Sequence, residues 1–220
     1  MTGVDTDEAR PANSPDHRCG PMRARIRHAT SDIHESLHRH PGFADLMAGV
    51  LTVPGYIALL ERLYGFHSPL ERGLRAASVG ANGDTAGHIN PIIREKAHLL
   101  RSDLLDLGVS ELEIEAIPLC RSLPALATPE ERAGCLYVIE GAGLGGAAMA
   151  HKLDYLLRGP SRSGRQFFMG RPYPDPMPWP DFCRWLEVWA IHADVSAITL
   201  SARRTFEFMD RWLRADDGDL

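Results

Sequence analysis

Residues 136–150, Leu-Tyr-Val-Ile-Glu-Gly-Ala-Gly-Leu-Gly-Gly-Ala-Ala-Met-Ala, put four glycines into six positions: Gly141, Gly143, Gly145 and Gly146. The residues around them are good helix formers. Each interior glycine costs a helix roughly 0.8–1 kcal/mol relative to alanine, so four cost about 3–4 kcal/mol. A chain keeps such a stretch where something approaches its backbone closely: a phosphate, a second helix or a flat ligand.

A phosphate is the first reading to test, because Gly141-Ala142-Gly143-Leu144-Gly145-Gly146 satisfies G-x-G-x-x-G. That fingerprint needs a strand before it, a helix after it and an acidic residue ending a second strand about 20 positions on. Here the segment runs into Gly159-Pro160-Ser161-Arg162-Ser163-Gly164, and no β-branched apolar run follows. Asp154 comes too early, and Glu140 stands where a buried strand should end in an apolar residue. A membrane span is disfavoured too, since Glu140 interrupts an apolar run short of the ~20 residues required. A helix packed tightly on a neighbour, or lying across a flat ligand, stays open.

Outward from this stretch the periodicity is helical. Thr128-Pro129-Glu130-Glu131 is a start signal: a cap, a proline in the first turn and two acids at the positive helix end. The helix it opens is predicted to reach about Leu157. Upstream, Arg23–His38 is amphipathic through Ile26, Ile33 and Leu37, and a short helix follows over Gly42–Gly49. Thr52-Val53-Pro54 starts a long helix with a stripe of Ile57, Leu60, Tyr64, Leu70 and Leu74, which Pro69 is expected to kink or break. Asn82–Asn90 reads as a loop, Pro91–Leu107 as a helix, Ser110–Glu115 as a short capped helix and Leu119–Ala127 as irregular. Arg158–Trp179 is a basic loop of about 20 residues, long enough in a compact domain to imply function or mobility. Helices near Pro180–His192 and Asp194–Leu213 close the chain. The fold class is all-α, a single-domain bundle of six to eight helices over residues 22–214, between a disordered tail at 1–21 and an acidic tail at 215–220.

Composition agrees. The chain has 220 residues, 44% hydrophobic and 24% charged, with a net charge of −5. Mild acidity and the lack of a basic run argue against nucleic acid. Cys19, Cys120, Cys135 and Cys183 form no C-x-x-C and read as reduced thiols, and residues 1–21 have no apolar h-region, so the reading is cytoplasmic.

Histidines are the main polar candidates within this core. His34 borders the apolar stripe of the first long helix, where a lone histidine is more often packed than a ligand; His38 follows at i+4, and the two can grip a metal from one face. Glu35-x-x-His38 and Glu95-x-x-His98, with Glu61 and Glu140, give the ligand types of a carboxylate di-iron bundle. No nucleophile elbow or activated cysteine stands out.

Arg27-His28-Ala29-Thr30-Ser31-Asp32-Ile33-His34 resembles the proximal-helix motif of haem oxygenases, in which an Ala-Thr pair precedes the ligand histidine. His40-Pro41-Gly42-Phe43 through Leu63-Tyr64-Gly65-Phe66-His67 is similar to the bacterial branch associated with bacteriophytochromes. So are Tyr137-Val138-Ile139-Glu140-Gly141 with Leu144-Gly145-Gly146, and Arg204-Thr205-Phe206 with Trp212-Leu213.

The resemblance spans roughly residues 23–213 and implies a haem oxygenase. Haem is then cofactor and substrate, opened to biliverdin with loss of CO and iron, using O2 and electrons from an external ferredoxin or reductase. A bacteriophytochrome is the implied recipient of the biliverdin, and no flavin or NAD site, nucleic acid or membrane is involved. By the same resemblance His34 is the iron ligand, and Gly141, Gly145 and Gly146 form the side-chain-free face over the reacting side. Arg27 and Tyr137 meet haem propionates, Phe206 belongs to the haem-binding set, and the basic loop with Arg184 adds to the propionate edge. Ala142 stands where animal enzymes carry an aspartate, and His38 where they carry a glutamate. Leucine at Gly145 or Gly146 is expected to leave the protein folded but exclude haem. A non-catalytic haem carrier or sensor on the same scaffold and a di-iron oxidase are the competing readings.

Overall fold

A computed structural model describes residues 20–79, 95–157, 161–170 and 178–215. The expected N-terminal tail, the polar loop at 82–90, the helix start at Pro91 and the last five residues lie outside these. Nine α-helices run through the described residues: α1 Pro21–His38, α2 Pro41–Ala48, α3 Val53–Val79, α4 Ala97–Asp106, α5 Glu111–Glu115, α6 Pro129–Lys152, α7 Gln166–Met169, α8 Trp179–Trp189 and α9 Val195–Arg214. The count exceeds the expected six to eight because the basic loop contains a turn of helix, α7, too short to show a period.

The start signals act as their chemistry demands. Thr128 accepts from the Glu131 amide while Glu131 returns to the Thr128 amide, and Ser110 with Glu113 repeats this capping box on α5. Thr52 Oγ1 accepts from the Gly55 amide at the head of α3. Two boundaries were set by residues distant in sequence. α1 begins against α8, where Glu187 accepts from the amides of Met22 and Arg23, both at 3.1 Å. α4 starts at Ala97, and the expected helix does not run through Glu95 and Lys96, because Glu71 of α3 takes the amides of Lys96 (3.0 Å) and Ala97 (3.1 Å).

Pro69 does not break α3, which is continuous over 27 residues. A proline at 69 cannot donate to the carbonyl of Gly65, four residues back. That carbonyl instead accepts from the Cys120 amide at 2.9 Å, so its hydrogen bond is replaced by tertiary structure.

α6 is the central helix. It packs along α9 and also meets α7, α8 and α2. With the following turn (Pro129–Tyr155) it does reach the length and apolarity of a bilayer span, but 62% of its apolar window is buried in the fold, as in a core helix. α1 lies on α9 as well, held by Arg203, which donates to Asp32 (2.7 and 2.8 Å) and to the Ala29 carbonyl. The buried stripe of α1 is Met22, Ile26, Thr30 and Leu37; Ile33, expected in it, is half-buried. Cys120, Cys135 and Cys183 are free and buried.

Candidate functional site

α1 and α6 both pack on α9 and meet again across a cavity of about 510 Å³. That size is typical of a small-molecule site, roughly 300–1,000 Å³. α1 contributes Arg23, Arg27, Thr30, His34 and His38; α3 contributes Leu63 and His67; α6 contributes Tyr137, Val138, Gly141, Ala142, Gly145 and Met149. Phe167 and Phe168 of α7, Trp179 of α8, and Phe206 and Met209 of α9 complete most of the wall. The lining is largely apolar, with its cations gathered on α1.

His34 faces this space. Its ring meets His38 edge to face (centroids 4.6 Å apart) and Phe206 likewise (5.7 Å). Partial burial, with His38 and Arg27 nearby, holds its imidazole below the usual histidine range; Glu35 opposes this. A neutral imidazole is the form that ligates a metal. Of the α1 residues that line the cavity, 23, 27, 30, 34 and 38 follow a 4-3-4-4 spacing along one helix face, with Ser31, Glu35 and Leu37 beside them. That spacing is the signal by which Arg23, missed in the sequence reading, was findable.

The glycines of α6 that are described separate into different roles. Gly141 and Gly145 line the cavity. A Cβ on Gly141 would lie 3.3 Å from the Trp179 ring, and one on Gly145 would meet only the flexible Met149 Cε, at 3.3 Å. Gly146 does not line it. A Cβ there would fall on the carbonyl oxygen of Phe168, 3.1 Å from its carbonyl carbon and 3.2 Å from its Cα. Gly146 is thus the seat of α7, and the expectation that leucine there leaves the fold intact is corrected. Gly134, about three turns nearer the helix start, seats α9 in the same way: its Cβ would meet the Ile198 carbonyl and the Ala202 amide.

Tyr137 is buried at the cavity wall with its ring 5.3 Å from Trp179. Arg184 is not brought to the site: its side chain is 73% exposed and pairs with Asp181 at 2.7 Å on the surface of α8. The remaining residues of the basic loop that are described act structurally. Arg165, buried, bonds the Ala150 carbonyl (2.6 Å) and pairs with Asp154, while Arg162 donates to the Gly170 carbonyl (2.6 Å). Asp103 of α4 accepts from the amides of Gln166 (2.6 Å) and Phe167 (2.9 Å), fixing α7 and its two phenylalanines in the wall.

The dinucleotide and di-iron arrangements are absent from this geometry. The glycines are mid-helix, with no strand among the described residues. Glu35 lies on an exposed face, Glu95 pairs with Arg75 and Glu140 with Lys96. No group of three or more His, Cys, Asp or Glu side chains suited to a metal ion occurs among the described residues.

A histidine-bearing helix thus faces a glycine-faced helix across a largely apolar cavity with Arg23 and Arg27 in its wall, in an all-helical fold. Residues 21–215 match the family model described as heme oxygenase, and the chain belongs to that family. Its fold is similar to that of heme oxygenase-1 from the cyanobacterium Synechocystis sp. PCC6803 in complex with heme, with a TM-score of 0.64 and 15% identity over 90% of this chain and 93% of that one. It is also similar to heme oxygenase-2 from Synechocystis sp. PCC 6803 in complex with heme and NO, with a TM-score of 0.63 and 18% identity over 88% and 84%. No curated protein matches the sequence.

Proposed function

We propose that this chain binds haem in the α1–α6 cavity and opens it to biliverdin, releasing CO and iron, with O2 and electrons from an external donor. The observation that carries the reading is that His34 and the glycine face of Gly141 and Gly145 line the same cavity, on different helices. Bound haem supplies the iron at which O2 is reduced, and is itself the molecule cleaved.

The residues fit such an occupant. His34 on α1 would supply a neutral imidazole nitrogen to the iron. The missing side chains at Gly141 and Gly145 would let haem approach the α6 backbone closely. Ala142 adds no acid to that face. Arg23 and Arg27 give the cationic end that carboxylate-bearing haem requires, and Phe206 holds the His34 ring edge-on. Tyr137 adds a phenol at the wall. The roles of an external ferredoxin or reductase and of a bacteriophytochrome recipient rest on the sequence resemblance, and a cytoplasmic location rests on the scattered cysteines and the polar N-terminal segment.

The test is turnover. Purified protein mixed with hemin, then supplied with ascorbate or reduced ferredoxin in air, is expected to lose its Soret absorbance and gain the broad red absorbance of biliverdin. A haem spectrum that stays unchanged under these conditions identifies a carrier or sensor and contradicts the proposal.

A further inference from the structure

His67 of α3 takes no part in the account above, yet it lines the cavity with a side chain only 1% exposed. Of the titratable side chains in that wall, five come from α1; His67 and Tyr137 are those supplied by other helices. The His67 ring is held edge-on to Phe167 (5.2 Å) and to Phe66 (6.1 Å), so its direction is fixed by packing. Its Nδ1 lies 3.4 Å from Oε1 of Glu71, one turn further along α3. Burial pulls the Glu71 carboxyl upward, but His67 and the amides of Lys96 and Ala97 outweigh it and keep the group below the usual carboxylate range. Nδ1 makes no aligned hydrogen bond in this structure, but a carboxylate this near favours the tautomer with the proton on Nδ1, which makes Nε2 the acceptor.

The same network reaches the glycine helix. Lys96 Nζ donates to the Ile139 carbonyl at 2.7 Å and lies 3.5 Å from Glu140 Oε2, immediately before Gly141. By contrast, the ring neighbours of His34 are His38 and Phe206, on α1 and α9. His34 and His38 stand on the α1 wall and His67 on the α3 wall.

Resting on the haem reading, we infer that His67, oriented by Glu71, is the positioning residue for water on the haem face turned away from His34: its Nε2 accepts a hydrogen bond from a water at the iron. This gives the chain a side-chain anchor for distal water where Ala142 offers none. A buried imidazole packed only to fill space would not affect iron coordination.

The ferric hemin complexes of the parent, His67→Leu, His67→Phe and His67→Gln are compared by absorption and resonance Raman spectroscopy across pH. The parent is expected to be six-coordinate with a water ligand and to show an alkaline transition. His67→Leu and His67→Phe (the latter filling the buried volume) are expected to become five-coordinate and lose that transition, with hemin affinity within about threefold of the parent. His67→Gln, which keeps an acceptor, retains the water. The inference is overturned if both apolar variants keep the water and the transition. It is also overturned if the parent has no water, including the case of a low-spin complex in which His67 itself ligates iron. A parent that forms no Soret complex at all removes the haem reading instead, so the two failures are told apart.

Discussion

Two kinds of glycine sit on one helix. Gly134 and Gly146 are pressed against the backbones of α9 and α7, whereas Gly141 and Gly145 open onto the cavity, with at most a side chain nearby. The residue type and the helix are the same, and the intrinsic cost of roughly 1 kcal/mol each is the same. What offsets it differs: close helix packing in the first pair, room for a ligand in the second. The fold therefore depends on Gly134 and Gly146, and the proposed chemistry on Gly141 and Gly145.

The largest effects should come from the packing pair. Gly134→Leu or Gly146→Leu drives a side chain into backbone atoms that cannot rotate away. Each is expected to cost about 3 kcal/mol or more, some ~10 °C in melting temperature, and this is read by calorimetry. If either variant melts like the parent, the division is wrong. Gly145→Leu should behave oppositely. Its melting temperature stays within about 2 °C of the parent, while hemin affinity falls about a hundredfold, or ~2.7 kcal/mol, in a spectroscopic titration. Normal hemin binding by that variant would remove α6 from the ligand wall.

A smaller effect tests how α7 is held against Gly146. Burial pushes the Asp103 carboxyl up to about 6, against the pull of the Phe167 and Gln166 amides. Because this lies above its ordinary value of about 3.9, the Asp103 contribution is fullest below about pH 4 and is lost as pH rises through about 6. Between pH 5 and 7, Asp103→Asn should therefore gain on the order of 1 kcal/mol relative to the parent in urea unfolding. A difference that does not change with pH contradicts that environment for Asp103. Smallest is the contrast between two arginines. Arg27→Ala should weaken hemin binding about fivefold, near 1 kcal/mol, while Arg184→Ala leaves it unchanged in the same titration.

Local signals were legible in the sequence, and distant partners were not. The capping boxes at Ser110 and Thr128, the Thr52 cap and the position of His34 needed only nearby residues. That Pro69 leaves α3 unbroken was not legible, because the group that relieves it, the Cys120 amide, lies 51 positions away. The start of α4 was misjudged because its cap, Glu71, belongs to another helix. Gly146 was grouped with the cavity glycines through the family resemblance, and a local motif does not show what stands against each of its positions. Arg184 was drawn to the site by its charge, which its pairing with Asp181 directs to the surface instead. His67 escaped notice because a single histidine among apolar residues has no pattern; only the wall of the cavity distinguishes it.

The central claim is that His34 on α1 and the glycine face of α6 hold one haem between them. Hemin titration of the parent and of His34→Ala, with and without added imidazole, tests it most directly. The account predicts a sharp histidine-ligated Soret band in the parent, its loss in His34→Ala and its return when imidazole is supplied. An unaltered Soret band in His34→Ala, with no response to imidazole, would contradict it.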